Sequence, residues 1–175
     1  IESIEHVAAE GDRWLLATAI PKGERLAAML PMLVQLGVPV WQPLVLDDSA
    51  VRDLDVASPR IERILIESAK VARRAWRMEV RPPIGLDALL ASPEARSGLW
   101  FGDRAGESGG VDGTAAVIAI GPEAGFSAGE LERLRGSGAR ACALGPHNLR
   151  IETAAVAAAV ARFVAGRRGE HCGDG

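Results

Sequence analysis

Leu144-Gly145-Pro146-His147-Asn148-Leu149-Arg150-Ile151-Glu152-Thr153-Ala154 is the stretch on which the reading of this chain turns. It follows a short apolar run, Ala139 to Leu144, and leads into an Ala/Val-rich segment, Ala154 to Val164, with few polar residues. A strand, a Gly-Pro turn and a helix account for that order. The polar run has two readings. One is helix capping, with Thr153 or Glu152 complementing the dipole at the helix start. The other is a ligand loop in which Arg150 and Glu152 brace the backbone. The turn by itself is compatible with both.

Upstream, the same design occurs a second time. Thr114 to Ile120 reads as an apolar strand, ending in Gly121-Pro122-Glu123-Ala124-Gly125-Phe126. Ser127 followed by Glu130 is a capping box, opening a helix that runs to about Arg135. Glycine lets a backbone approach a ligand closely and proline sets the path of the loop. An ordinary strand-to-helix connection uses the same residues. The spacing is neither the dinucleotide Gly-x-Gly-x-x-Gly nor a phosphate-binding Walker loop. Before it, Leu99-Trp100-Phe101 reads as a short strand and Gly102 to Gly113 as a glycine-rich flexible loop.

The first half supplies further elements of the same kind. Trp14-Leu15-Leu16-Ala17 is a short apolar strand within residues 1–20, which otherwise look extended. Leu26, Met29, Leu30 and Leu33 recur at helical steps from Gly23, with Pro31 inside the helix and Gly37 as its stop. Val38 to Leu46 reads as a buried strand. A long helix is expected over Arg60 to Arg77. Ile61, Ile64, Leu65, Ala69, Ala72 and Trp76 fall on one face, and Arg60, Arg63, Lys70, Arg74 and Arg77 on the other. Trp14, Trp41, Trp76 and Trp100 read as core residues.

Strands alternating with helices imply an α/β fold with a mostly parallel sheet and helices on both faces. Ligands in such sheets bind at the carboxyl ends of the strands, which is where both Gly-Pro turns lie. The 175 residues, 48% of them hydrophobic, suit one compact domain with its own core. A net charge of -3 marks no general nucleic-acid binder, so contact with RNA must come from a local patch. Residues 60–81 hold seven Lys/Arg against three acids, an excess that suits phosphate contact. A charged helical face is otherwise simply a solvated one. No apolar run is long enough to span a bilayer and no signal-peptide pattern is present, so a soluble protein in a reducing cytoplasm is expected. Cys142 and Cys172 form neither a disulfide framework nor a zinc motif, and no metal-ligand spacing occurs. Ile1 is not an initiator methionine, which reads as a fragment or a processed product.

Together the turns at 121–126 and 144–154 resemble the ribosomal RNA small subunit methyltransferase E family, the uracil-N3 methyltransferases of small-subunit rRNA within the SPOUT class. Pro21-Lys22-Gly23-Glu24-Arg25, and Leu36-Gly37-Val38 followed by Pro43, extend the resemblance over about residues 12–165.

The resemblance implies a SPOUT-type knotted fold, with a trefoil knot near the C-terminus whose loops hold S-adenosylmethionine. Carried over by position, Gly121, Pro122, Glu123 and Gly125 lie in one cofactor loop. Leu144, Gly145, Leu149, Arg150, Glu152 and Thr153 lie in the other. Arg150 and Arg74 are the candidates for stabilising charge on the uracil, and Arg60, Arg63, Lys70, Arg74 and Arg77 for holding small-subunit rRNA. His147 reads as a proton acceptor or as a loop histidine with one hydrogen bond. The family implies a homodimer and an N-terminal RNA-binding barrel. On that reading residues 1–20 are the remnant of the barrel and its linker, 21–165 the methyltransferase domain and 166–175 a flexible tail. The chain departs from the family pattern at Met32, Gln35, Asp47-Asp48-Ser49, Val71, Met78, His147 and Asn148.

Overall fold

The computed structural model describes residues 13–108 and 110–170, with 108 and 168–170 by backbone alone. Residues 1–12, most of the expected barrel remnant, lie outside the described residues, as do 171–175 of the expected tail with Cys172. In chain order the elements are β1 (Leu15–Ala19), α1 (Glu24–Gln35), β2 (Val40–Val45), α2 (Pro59–Val71), β3 (Glu79–Val80) and β4 (Ile84–Gly85). Then follow α3 (Leu86–Leu90), α4 (Pro93–Ser97), β5 (Leu99–Ser108), β6 (Val117–Ile120), α5 (Ala128–Gly136), β7 (Arg140–Ala143) and α6 (Ile151–Glu170).

The strands form one sheet in the order β3-β2-β1-β6-β5-β7, with β4 also on β2, and every pairing is parallel. Alternate residues serve opposite faces. Leu16, Trp41, Trp100 and Ile118 pack against Met29, Leu30 and Leu33 of α1, Ile61 and Leu65 of α2, and Ala155 and Ala158 of α6. Leu15, Val40, Phe101 and Val117 pack on the other face with Leu86 and Leu89 of α3 and Leu134 of α5. This is the expected mostly parallel sheet with helices on both faces.

Several boundaries differ from the sequence reading. All five residues of β1 are buried, and its Leu15 pairs with both Val40 and Val117. A strand apolar on both faces needs a neighbour on each edge and cover on each side. Residues 15–19, expected within the barrel remnant and linker, are thus a central strand of this sheet.

Helix α2 stops at Val71, not Arg77. Arg73 takes a left-handed φ of 52°, its N–H donates to Lys70 O at 3.1 Å, and Arg74 N–H donates to Ala69 O at 3.0 Å. These are the two bonds of a Schellman cap. Helix α1 ends with the same pair of bonds around Gly37, the stop expected from the sequence. At Arg73 no glycine announces the turn, so side-chain periodicity ran past it.

Residues 102–108, the first part of the expected loop, belong to β5. β5 pairs Gly102 with Cys142, leaves the ladder, and returns to pair Glu107 with the same Cys142. A Cβ on Gly106 would lie 2.6 Å from the backbone of Ala141 and Cys142, so glycine is required by this crossing. Helix α6 starts at Ile151 and continues to Glu170, through the first part of the expected flexible tail. It is anchored by buried Arg162, whose Nε donates to Ala115 O at 3.0 Å. Trp14, Trp41 and Trp100 are buried in the core, whereas Trp76 is half-buried.

Candidate active site

Three adjacent parallel strands, β6, β5 and β7, end side by side, and their carboxyl ends open into a cleft of about 400 Å³. That volume falls within the range of small-molecule sites. One wall is the excursion of β5, Gly102 to Ala105. A second is the turn Gly121–Phe126, and a third comprises Leu144, Gly145 and residues 147–149. Ala154, in the first turn of α6, also lines the cleft.

Local packing shapes each wall. The space a Cβ would take on Gly102 lies 3.1 Å from Ile120 Cδ1 and 3.3 Å from Leu144 Cδ1, so the three strand ends converge there. Phe126 packs back over Gly121 and meets Phe101 edge-on with centroids 5.9 Å apart. Gly125 N–H donates to Pro122 O at 2.8 Å and closes the turn. The capping box expected at Ser127 and Glu130 is complete: Glu130 N–H donates to Ser127 Oγ, and Ser127 N–H to Glu130 Oε2. Buried Glu130 also accepts from Asp47 N–H at 2.9 Å, tying the segment after β2 to this corner.

Of the expected cofactor residues, Gly121, Pro122, Glu123, Gly125, Leu144, Gly145 and Leu149 line this one cleft. Arg150, Glu152 and Thr153 do not. Arg150 and Thr153 are exposed, and Ala154 N–H donates to Arg150 O as α6 begins. Glu152 buries its Oε2 without a hydrogen-bond partner. An unsatisfied buried carboxylate oxygen is costly to a fold.

Arg74 does not line the cleft. Its Nη1 donates to Val34 O at 3.0 Å, beside the cap bond from Gly37 N–H, and to Val38 O at 3.1 Å just past the end of α1. Burial lowers its pKa from the usual guanidinium value. The stripe of α2 is largely neutralised: Arg60 pairs with Glu24, Lys70 with Glu67 and Arg77 with Glu62. Arg63 is exposed on the same helix. None of the five lines the cleft, and the helix that carries Arg60, Arg63 and Lys70 ends at Val71, before Arg74 and Arg77.

Two arginines at the site escaped the sequence reading as site residues. Arg25, in the first turn of α1, is ion-paired with Glu123. Arg104, on the β5 excursion, lines the cleft and donates to Asn148 Oδ1 at 3.3 Å. The motif at 21–25 hinted at the first, and nothing in the local pattern of 102–113 pointed to the second. Cys142, on β7, is buried and outside the cleft lining, with its Sγ donating to Phe101 O at 3.5 Å. Burial pushes its pKa up to about 11, so it stays a thiol and is no nucleophile at neutral pH. Among the described residues no group of acids, histidines and cysteines is placed to hold a metal ion, and no helix is long and apolar enough to cross a membrane.

Residues 10–162 match the RNA methyltransferase domain family. The chain belongs to that family. It resembles the ribosomal RNA small subunit methyltransferase E of Aquifex aeolicus, with 29% identity over 126 residues, 70% of this chain and 55% of that protein. The same enzyme of Synechocystis is 27% identical over 150 residues, 79% of this chain and 49% of the relative. The chain thus spans about half the length of the curated relatives it matches. Among solved structures, a probable rRNA-methyltransferase from Porphyromonas gingivalis superposes with a TM-score of 0.79 at 28% identity, covering 90% of this chain and 69% of that one. Ribosomal RNA small subunit methyltransferase E from Neisseria gonorrhoeae, solved bound to S-adenosyl methionine, gives 0.74 at 29% identity, covering 87% and 65%. The sheet of this RNA methyltransferase domain is therefore of the SPOUT type expected from the sequence.

Proposed function

We propose that the chain is the catalytic domain of an S-adenosylmethionine-dependent RNA methyltransferase that acts on uracil N3 in small-subunit ribosomal RNA. The observation that carries this reading is the convergence of two separate Gly-Pro turns on one cleft at three strand ends. The cleft fits the cofactor. Its volume suits a nucleoside-sized ligand, and its walls combine apolar side chains with close-packed glycines.

On this reading the backbone of Gly121–Gly125 and of Leu144–Leu149 would cradle the cofactor. Ion-paired Glu123 would hold the first loop in place. When bound, S-adenosylmethionine supplies an electrophilic methyl group to a nucleophile lined up behind it. The chain's own work is to hold both reactants in that line and exclude water around them. The trefoil knot belongs to the same proposal, and the return of β5 onto Cys142 supports it. So does a homodimer. Helix α6 carries apolar residues around its circumference, and Val160, Phe163 and Val164 are exposed on the single chain. An rRNA substrate implies a cytoplasmic setting, and the part of the curated relatives beyond this match leaves room for the RNA-binding barrel.

A second reading is a cofactor-binding RNA-associated protein without transferase activity. It draws on His147 and Asn148, two departures from the family pattern that both line the cleft. Calorimetric titration with S-adenosylmethionine tests both: absence of binding at millimolar cofactor rejects the two together. Incubation of the full-length protein with a small-subunit rRNA transcript and labelled cofactor separates them. Label on the RNA, at uracil N3 by nuclease digestion and mass spectrometry, is the expected result.

A further inference from the structure

The titratable side chains lining the cleft are Asp103, Arg104, Glu123 and His147. Both carboxylates are engaged, Asp103 with Arg135 at 3.6 Å and Glu123 with Arg25. Arg104 is the one lysine or arginine in this lining, and it donates to the neutral Asn148 Oδ1. The arginines expected to meet the substrate, Arg74 and Arg150, lie outside this lining. The cleft therefore contains one cation with no carboxylate to neutralise it among the described residues.

The backbone around Arg104 is fixed although its side chain is exposed. Gly102 is wedged against Ile120 and Leu144, and Gly106 against the backbone of Ala141 and Cys142. Between them Ala105 N–H donates to Asp103 Oδ1 at 2.9 Å, which closes the turn. A residue at the tip of an excursion anchored at both ends is well held, and its guanidinium offers five donors to the cleft.

We infer that Arg104 contacts the substrate base and carries the negative charge that develops on it. This rests on the proposed methyl transfer to uracil. N3 of uracil bears a proton between two carbonyl groups and is a weak nucleophile until that proton leaves. On its loss to solvent, the charge spreads over N3 and the two flanking oxygens. The N3 electron pair forms the new bond to the methyl carbon as the carbon–sulfur bond breaks and leaves its pair on sulfur. The products are a neutral N3-methyl base, a neutral thioether and one proton in solution. A guanidinium donating to a carbonyl oxygen of the base stabilises the anion most when its charge is fullest, as an oxyanion hole does. It also favours loss of the N3 proton at neutral pH. The competing role is a staple, with Arg104 serving only to hold Asn148 and the second loop.

The test uses the full-length protein, small-subunit rRNA transcript and labelled S-adenosylmethionine, with Arg104→Gln, Arg104→Lys and Asn148→Ala. Cofactor affinity by calorimetry and urea midpoint are expected to be unchanged in Arg104→Gln, while kcat falls about 100-fold. Its pH–rate profile is expected to move up by about one unit, because an unassisted N3 proton leaves at higher pH. Arg104→Lys restores the charge and part of both losses. Asn148→Ala, which removes the hydrogen bond but keeps the cation, is expected to lose less than Arg104→Gln. An Arg104→Gln enzyme with normal kcat and pH profile overturns the inference. So does an Asn148→Ala enzyme equally impaired, or a loss explained by weaker cofactor binding. Failure of the wild-type protein to bind cofactor or transfer methyl is a failure of the proposed function, seen before any variant is made.

Discussion

Arg25, in the first turn of α1, is ion-paired with Glu123, in the turn after β6, across 98 residues of sequence. The two meet because β1 and β6 are neighbours in the sheet, with Thr18 opposite Ile120, so the segments leaving both strands emerge together. The pair joins the approach to α1 to one wall of the cleft. Its side chains are 33% and 43% exposed, so its contribution to global stability is small, below about 1 kcal/mol.

Arg25→Ala is accordingly expected to leave the urea midpoint nearly unchanged and to weaken S-adenosylmethionine binding roughly 5-fold. Glu123→Ala should do the same, and the double variant should lose little more than either single one. Calorimetry on the three variants checks this. Additive losses of affinity would show that the two residues act separately.

Arg74→Ala is expected to destabilise the fold by about 1–3 kcal/mol, because Val34 O and Val38 O, at the turn that follows α1, lose a charged donor. Cofactor affinity should be untouched, since Arg74 does not line the cleft. Urea denaturation beside calorimetric titration distinguishes this from the substrate role that its sequence position had implied. A stable variant with impaired RNA methylation would restore that role.

Gly106→Ala and Gly129→Ala should differ in sign. At Gly106 the added methyl meets backbone atoms of β7 at 2.6 Å, and backbone cannot swing aside as a side-chain end can. A loss of at least about 2 kcal/mol follows from overpacking. Gly129, in the first turn of α5, has open space around it, and alanine there should gain up to about 1 kcal/mol in helix propensity. Melting temperatures of the two variants give the comparison directly.

The Glu94 carboxyl is held below its ordinary pKa by a backbone hydrogen bond and then by Arg81, whose Nη1 lies 3.0 Å away. Asp112 is held low by the backbone and side chain of Thr114. A carboxyl depressed in the folded state stabilises above its unfolded pKa, and that stability is lost as pH falls through the folded value. Glu94→Gln is thus expected to be less stable than wild type at pH 7 and to converge with it near pH 3. The groups are partly exposed, so the difference at pH 7 should stay within about 1 kcal/mol. Parallel urea titrations at the two pH values measure it, and a constant gap across the range would remove the carboxylate from the account.

Much of this organisation is legible along the chain. Leu26, Met29, Leu30 and Leu33 mark the buried face of α1, and Gly37 marks its end. Ser127 and Glu130 form the cap that their spacing predicts. The end of α2 was not legible, because a Schellman turn built on Arg73 has no glycine to signal it. Nor was the pairing of residues 102–108, where a glycine-rich composition that usually marks a loop instead serves a close backbone crossing.

By itself the sequence determined the alternation of strands and helices, the sheet-facing residues and the two turns that identify the family. These depend on side-chain periodicity and turn chemistry within a few residues, which the chain carries locally. Only the tertiary structure decided which charges reach the cleft. Arg74 was diverted to the carbonyls of α1, Arg25 was brought to Glu123, and Arg104 was raised on an excursion of β5. The physical reason is that a long cationic side chain goes where unsatisfied oxygens lie within its reach. Which oxygens those are follows from strand order in the sheet, which brings together residues far apart in sequence.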